Sequence, residues 1–387
     1  MATRARSGIF GTTALRATVA LLETTASPVL VAFVTGCILS GCILDFDGLA
    51  GGGSTSSSGT TSAGGASSSG GSTSSGGSGG AACGPLDCCD AAPVELVGPG
   101  VASSPRGLVA RKDGLYWANF GGDAILRLPA DGGPAETLAT AVGPRGVAAW
   151  DDRLVWTARD GVYACTLPAC ADAAVVVPSL GVDSLRAVAF DGVTLAFTDR
   201  GAADYDGRAR SCALDACEPL DLHDGMLAPE GIVLDGSHAT WTESGNGNMN
   251  GSVWRSPKDQ AGAMQVAWSL TFASGVAVDD GYVYWTEQAS APEGHVTYCT
   301  LGAQGCVTRV AEGPFDKPSD LLVAGGSVVW TNLVAGTIAS CPAPTCGAAA
   351  PKEHVTGRIG LAKIAVNATC IFWGEDAGGG AIYKVAR

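Results

Sequence analysis

The chain has 387 residues, 46% of them hydrophobic and only 16% charged, with 56 Gly and 19 Pro. That is enough apolar matter for one large core or two ordinary ones, and so many chain-breaking residues exclude long helices and predict an all-β protein. A formal net charge of -14 excludes nucleic acid as a partner, because binding phosphates needs a clustered basic face. There are 14 cysteines, eight of them in close pairs, which fits an oxidising compartment better than the cytosol.

From the N-terminus, Pro28 to Gly41 is an apolar stretch behind a segment bearing Arg4, Arg6 and Arg16. It is too short to span a bilayer and matches the core of a signal peptide. It ends in Leu39-Ser40-Gly41-Cys42, which resembles a bacterial lipobox. The resemblance implies a signal peptide over 1–41 and a lipid anchor on Cys42. It also implies the outer membrane, because Ile43 rather than Asp follows the cysteine. The expected location is thus the bacterial cell envelope, with membrane contact through the anchor alone. Residues 42–82 are expected to form a disordered tether. From about Ala50 to Ala82 the chain is almost entirely Gly, Ser, Thr and Ala, a random coil spanning roughly 30 Å end to end. Residues 83–93, with Cys83, Cys88 and Cys89, form a small disulfide-bonded lead-in.

Residues 94–387 repeat one unit. An apolar strand, a turn and a second strand ending in an aromatic first occur as Gly107-Leu108-Val109-Ala110 and Leu115-Tyr116-Trp117-Ala118-Asn119. Later copies place the aromatic at Trp156, Phe197, Trp241, Trp285, Trp330 and Trp373, between 39 and 45 residues apart. Six tryptophans at one repeat position signal radial stacking rather than scattered core residues. Each unit reads as four strands, a to d, with small side chains on strand a suited to a crowded axis. In strand b, alternation puts Tyr284 and Trp285 on opposite faces of the pleat, so a blade packs on both neighbours. The seventh copy ends after strand c, and Val94-Glu95-Leu96-Val97 supplies its missing fourth strand. The prediction is a seven-bladed β-propeller, with six blades as the alternative, closed by an N-terminal strand that leaves no exposed sheet edge.

Strand b segments such as Val283-Tyr284-Trp285-Thr286-Glu287 and Leu195-Ala196-Phe197-Thr198-Asp199 resemble the Tyr-Trp-Thr-Asp repeats of low-density-lipoprotein-receptor-type propellers, and more loosely those of NHL-type propellers. Receptor propellers of that type have six blades, so seven copies depart from the pattern. The resemblance implies a structural role for the residue ending the motif (Asn119, Asp199, Glu243, Glu287, Asn332 and Glu375); Ala158 breaks it.

Four units carry a cysteine pair where strand c turns into strand d: Cys165 with Cys170, Cys212 with Cys217, Cys299 with Cys306, and Cys341 with Cys346. Cysteines flanking so short a turn face each other at disulfide distance. A zinc site needs two more ligands, and the pairs lie on separate blades with no His beside them. Cys83, Cys88, Cys89 and Cys370 remain, an even number; a bond from Cys370 to Cys88 or Cys89 would lock the N-terminal segment near the closing blade, and the sequence leaves that pairing open. The four histidines (His223, His238, His295 and His354) fall on separate strands and turns. No nucleophile elbow, metal-ligand spacing or phosphate-cradling loop is present, so neither catalytic nor metal-binding residues are assigned.

The residue before strand a lies near the channel mouth in propellers. It is Arg106, Arg145 and Arg186 in the first three copies, then Glu230, Ser274, Ser319 and Ala362. Three adjacent arginines make a candidate site for a carboxylate, sulfate or phosphate group. The competing reading pairs each with a carboxylate such as Asp199 or Glu230. The expected function is non-catalytic recognition of a protein, peptide or glycan by a monomeric head with no cofactor. The alternative is a propeller lactonase, lyase or hydrolase with calcium at the channel; Asp113, Asp235 and Asp279 lie at turns instead.

Overall fold

A computed structural model describes residues 84–87, 91–178, 184–279, 281–289, 294–313 and 315–387. The lipobox, Cys42, the tether, and Cys83, Cys88 and Cys89 lie outside the described residues.

Seven four-stranded antiparallel sheets stand in a ring, which settles the blade count against six. In six of them the strands follow in sequence order. The seventh joins Leu361–Val366, Cys370–Glu375 and Ala381–Ala386 to Val94–Val97. Val94 pairs with Lys384 and Val97 with Ile382, so the two ends of the propeller are zipped into one blade as the repeat required.

The core is a set of wedges between blades. Trp117 packs with Phe372 and Ile382 of the seventh blade, while its neighbour Tyr116 faces Trp156 of the second. The same alternation places Trp285 against the fourth blade and Tyr284 against the sixth. All six repeat tryptophans are fully buried. The indole N–H groups of Trp117, Trp156 and Trp330 have no acceptor, so apolar packing holds them rather than hydrogen bonding.

Strand b also stitches each blade to the next. Thr157 Oγ1 accepts from Gly146 N at 2.8 Å and donates to Arg186 O at 2.7 Å. Thr198, Thr242 and Thr286 repeat this, donating to Glu230 O, Ser274 O and Ser319 O. Where the threonine is missing the joint changes. The first blade has Ala118 there, and Gly107 N donates directly to Arg145 O at 2.6 Å. A Cβ on Gly107 would lie 2.5 Å from Val147 N, so only glycine permits that approach. The seventh blade has Gly374, where a Cβ would lie 2.8 Å from Pro105 Cγ. Between blades six and seven, Asp320 takes Lys363 Nζ at 2.6 Å and Ile364 N at 2.9 Å.

The four predicted disulfides are present, with Cα–Cα separations of 4.9 to 5.5 Å. Cys370 is disulfide-bonded too, and its expected partners Cys88 and Cys89 lie outside the described residues. No described helix is long and apolar enough to cross a membrane.

Candidate functional site at the channel mouth

The ring has two unlike faces. The b-to-c loops and d-to-a connections make one, the mouth face; the a-to-b and c-to-d turns make the other, the back face. Strand a of every blade begins at the mouth, so the seven residues predicted to ring the channel do so. Arg106, Arg145, Arg186, Glu230, Ser274, Ser319 and Ala362 all line a cavity of about 510 Å³. The threonine stitches hold the backbone carbonyls of four of these residues, so the joints that close the ring also fix the mouth side chains at their roots.

None of the three predicted arginines is idle. Arg106 Nη2 pairs with Asp376 at 2.9 Å, and both Arg106 and Arg145 lie over the Phe120 ring, with centroid distances of 5.6 and 4.8 Å. Arg186 Nη1 donates to Leu185 O at 3.4 Å. The carboxylates expected to neutralise them serve other cations. Glu230 pairs with Arg200, and Asp199 lies 3.8 Å from Arg210, which the b-to-c ladder brings onto strand c beside it. Arg200 reinforces the arc: burial first, then the guanidinium charges of Arg186 and Arg145, hold its pKa down to about 10. It belongs to the loop 200–206, which ends where Gly207 starts strand c.

Across the ring, Gln288 Nε2 donates to Ser274 Oγ at 2.9 Å and Ser319 Oγ at 2.7 Å. Gln288 is the residue just after the strand b motif. Its register, one step past Glu287, was the signal that could have placed it at the mouth.

The motif-ending residues fasten the mouth loops. Glu243 Oε1 accepts from Leu227 N and its Oε2 from Ser252 Oγ and Trp254 Nε1. Glu287 accepts from Thr271 N, and Asn119 donates to Val101 O. Burial raises the Glu287 carboxyl above the usual range, against that hydrogen bond and the Arg309 charge.

Sequence reasoning missed the apolar character of this face. Thirteen large apolar side chains are exposed among the described residues. Seven stand on mouth-face loops: Val101, Val142, Tyr205, Met249, Phe272, Val334 and Ile359. They group across neighbouring loops. The Phe272 ring covers Gly247, two residues from Met249, and Arg358 N donates to Gly336 O, drawing the Ile359 and Val334 loops together. Ile359, 73% exposed, is the most solvent-exposed of the thirteen.

The histidines do not converge: His223 and His354 lie on outer strands, His238 opens a strand b and His295 a strand c. No group of three or more metal-ligating side chains occurs among the described residues.

These features define a seven-bladed β-propeller with a wide, arginine-flanked channel mouth. No protein-family model and no curated protein matches the chain. Among solved structures, virginiamycin B lyase from Staphylococcus aureus gives a TM-score of 0.60 at 14% identity, over 76% of this chain and 99% of that one. Kuenenia stuttgartiensis hydrazine synthase gives 0.60 at 12% identity, over 75% and 97%. A chain of a nidogen/laminin complex gives 0.48 at 20% identity, over 63% and 94%. At these identities the likeness is one of fold.

Proposed function

We propose that the chain is a non-catalytic recognition module, lipid-anchored through Cys42 at the bacterial outer membrane, that offers its mouth face to a protein, peptide or glycan of the cell envelope. The observation that carries this reading is the presence on that face of seven exposed apolar side chains, around the arginine-flanked cavity. Exposed apolar groups gathered on one side of a rigid scaffold mark docking surfaces, whereas scattered ones do not.

Attachment points the same way. Residues 84–87 sit on the back face. Asn367 Nδ2 donates to Leu86 O at 2.9 Å, and Lys384 Nζ donates to Pro85 O at 2.7 Å. A tether arriving there leaves the mouth facing away from the membrane, toward partners in trans.

The test is differential capture from envelope extract by the full chain. A Tyr205→Ser, Met249→Ser, Phe272→Ser variant should lose the partners that wild type retains. A back-face variant, Val193→Ser with Val307→Ser, should keep them. Equal capture by both variants contradicts the reading.

A further inference from the structure

The four stapled turns do not stay on their own blades. Each reaches sideways to the outer part of the blade before it. In blade five, Gly305 lies inside the loop closed by Cys299 and Cys306. Its N–H donates at 2.8 Å to Val266 O, which belongs to the fourth blade's strand d, Met264–Leu270. Cys299 packs in one cluster with Val266 and Ala267. In blade six, Cys346 N and Thr345 Oγ1 both donate to Val310 O, at 2.8 and 2.7 Å, just past the fifth blade's short strand d, Thr308–Arg309. Blades two and three make the same reach with apolar groups. Cys165 and Cys170 cluster with Leu138 and Ala139 of blade one, and Cys212 and Leu214 with Val162 and Val177 of blade two.

Neighbouring blades are therefore joined at two radii. The threonine joints hold them near the axis, and the stapled turns clasp them at the rim, where strand d is an edge with one side unpaired. A clasp is only as firm as the loop that carries it. Opening the disulfide returns to that loop the conformational freedom that the bond removed.

The four bonds differ in access. In three of them a buried cysteine is joined to a half-buried one: Cys212 to Cys217, Cys299 to Cys306, and Cys341 to Cys346. In the fourth both are buried, Cys165 at 1% and Cys170 at 3% exposure. Exchange requires a thiolate to reach a sulfur, so access decides which bonds open.

We propose that the stapled turns of blades three, five and six are thiol–disulfide exchange sites for a dithiol reductant, and that opening them releases the rim strand of the preceding blade while the axis and the mouth keep their structure. The reductant's thiolate attacks the half-buried sulfur of Cys217, Cys306 or Cys346. The disulfide breaks, and the buried partner leaves as a thiolate and takes up a proton. The reductant's second thiol then attacks the mixed disulfide and frees the half-buried cysteine. The dithiol is oxidised to a disulfide, and the protein bond is reduced to two thiols.

Graded dithiothreitol on the full chain, followed by alkylation and peptide mass spectrometry, tests the access. The cysteines of blades three, five and six should be alkylated at a reductant concentration at least about tenfold below the one that opens Cys165–Cys170. Hydrogen–deuterium exchange at that lower concentration tests the release. Exchange should quicken about tenfold or more at residues 174–178, 264–270 and 308–310, and stay unchanged at 136–140 and at the starts of the inner strands. Cys299→Ala with Cys306→Ala should quicken 264–270 alone, with no reductant present.

Opening of all four bonds together, alkylation without faster exchange at the rim, or faster exchange that spreads to the inner strands overturns the assignment. So does wild-type exchange at 264–270 in the double variant, since the staple would then not be what holds the rim.

Discussion

The two faces of the ring are built from the same strands and do opposite things. The back face is closed by the a-to-b and c-to-d turns, four of the latter stapled by disulfides, and residues 84–87 are bound against it. The mouth face carries the arginine arc and most of the exposed apolar side chains among the described residues. The difference follows from chain direction. Each strand a starts at the mouth, so residues there are held by interblade joints at their backbone while their side chains remain free to vary. Rigidity and variability are thereby assigned to the two ends of one repeat.

The comparison can be broken first at what the faces share. Trp285→Ala removes a fully buried indole from a wedge between blades and should cost about 3 to 5 kcal/mol. Thermal unfolding should drop as one cooperative step, taking both faces with it. A local loss confined to one blade would show that the wedges are not coupled.

A smaller effect separates the mouth from its support. Thr242→Val leaves Gly231 N and Ser274 O without their partner at a buried joint and should cost about 2 to 3 kcal/mol. Because Ser274 is a mouth residue, mouth-face capture should fall as well. Unchanged capture beside lowered stability would mean that the joint supports the ring and not the mouth.

The back face should behave oppositely. Replacing Cys212 and Cys217 together by Ala opens a six-residue loop, worth about 2 kcal/mol in chain entropy. Denaturant midpoints should fall while mouth-face capture stays intact.

The smallest effect is acid sensitivity. Burial, with Arg309 adding to it, pushes the His295 imidazole down to about 4, and burial lowers His238 and His354 as well. Below the ordinary histidine range the unfolded chain takes up protons that the folded chain refuses. Stability should therefore hold above pH 6.5 and decline toward pH 4. His295→Gln should flatten part of that decline in pH-resolved thermal melts.

The fold was legible because a propeller writes its geometry as a period. Trp117 through Trp373 mark one radial position, and Val94 to Val97 could be seen to complete the last blade from what it lacked. The cysteine pairs were legible for a similar reason, since a short turn leaves two thiols few alternatives. The arginine arc was half legible. Its position followed from the repeat, but its partners did not, because Asp376 of blade seven reaches Arg106 of blade one and Phe120 of blade one reaches Arg145 of blade two. Such contacts depend on how blades meet, which no single repeat encodes. The apolar loops were missed because loop side chains carry no periodic signal, whereas Gln288 was missed because the strand b motif was read only as far as Glu287. Ile359 or Phe272 in isolation reads as an ordinary connection.

Hydrogen–deuterium exchange of the full chain with and without the partner captured from envelope extract addresses the mouth most directly. Recognition at the mouth face predicts slowed exchange in the starts of the inner strands, around residues 106–108, 145–147, 186–188, 274–276 and 319–321, with the disulfide-stapled turns unchanged. Protection at those turns, or uniform exchange with and without the partner, would contradict it.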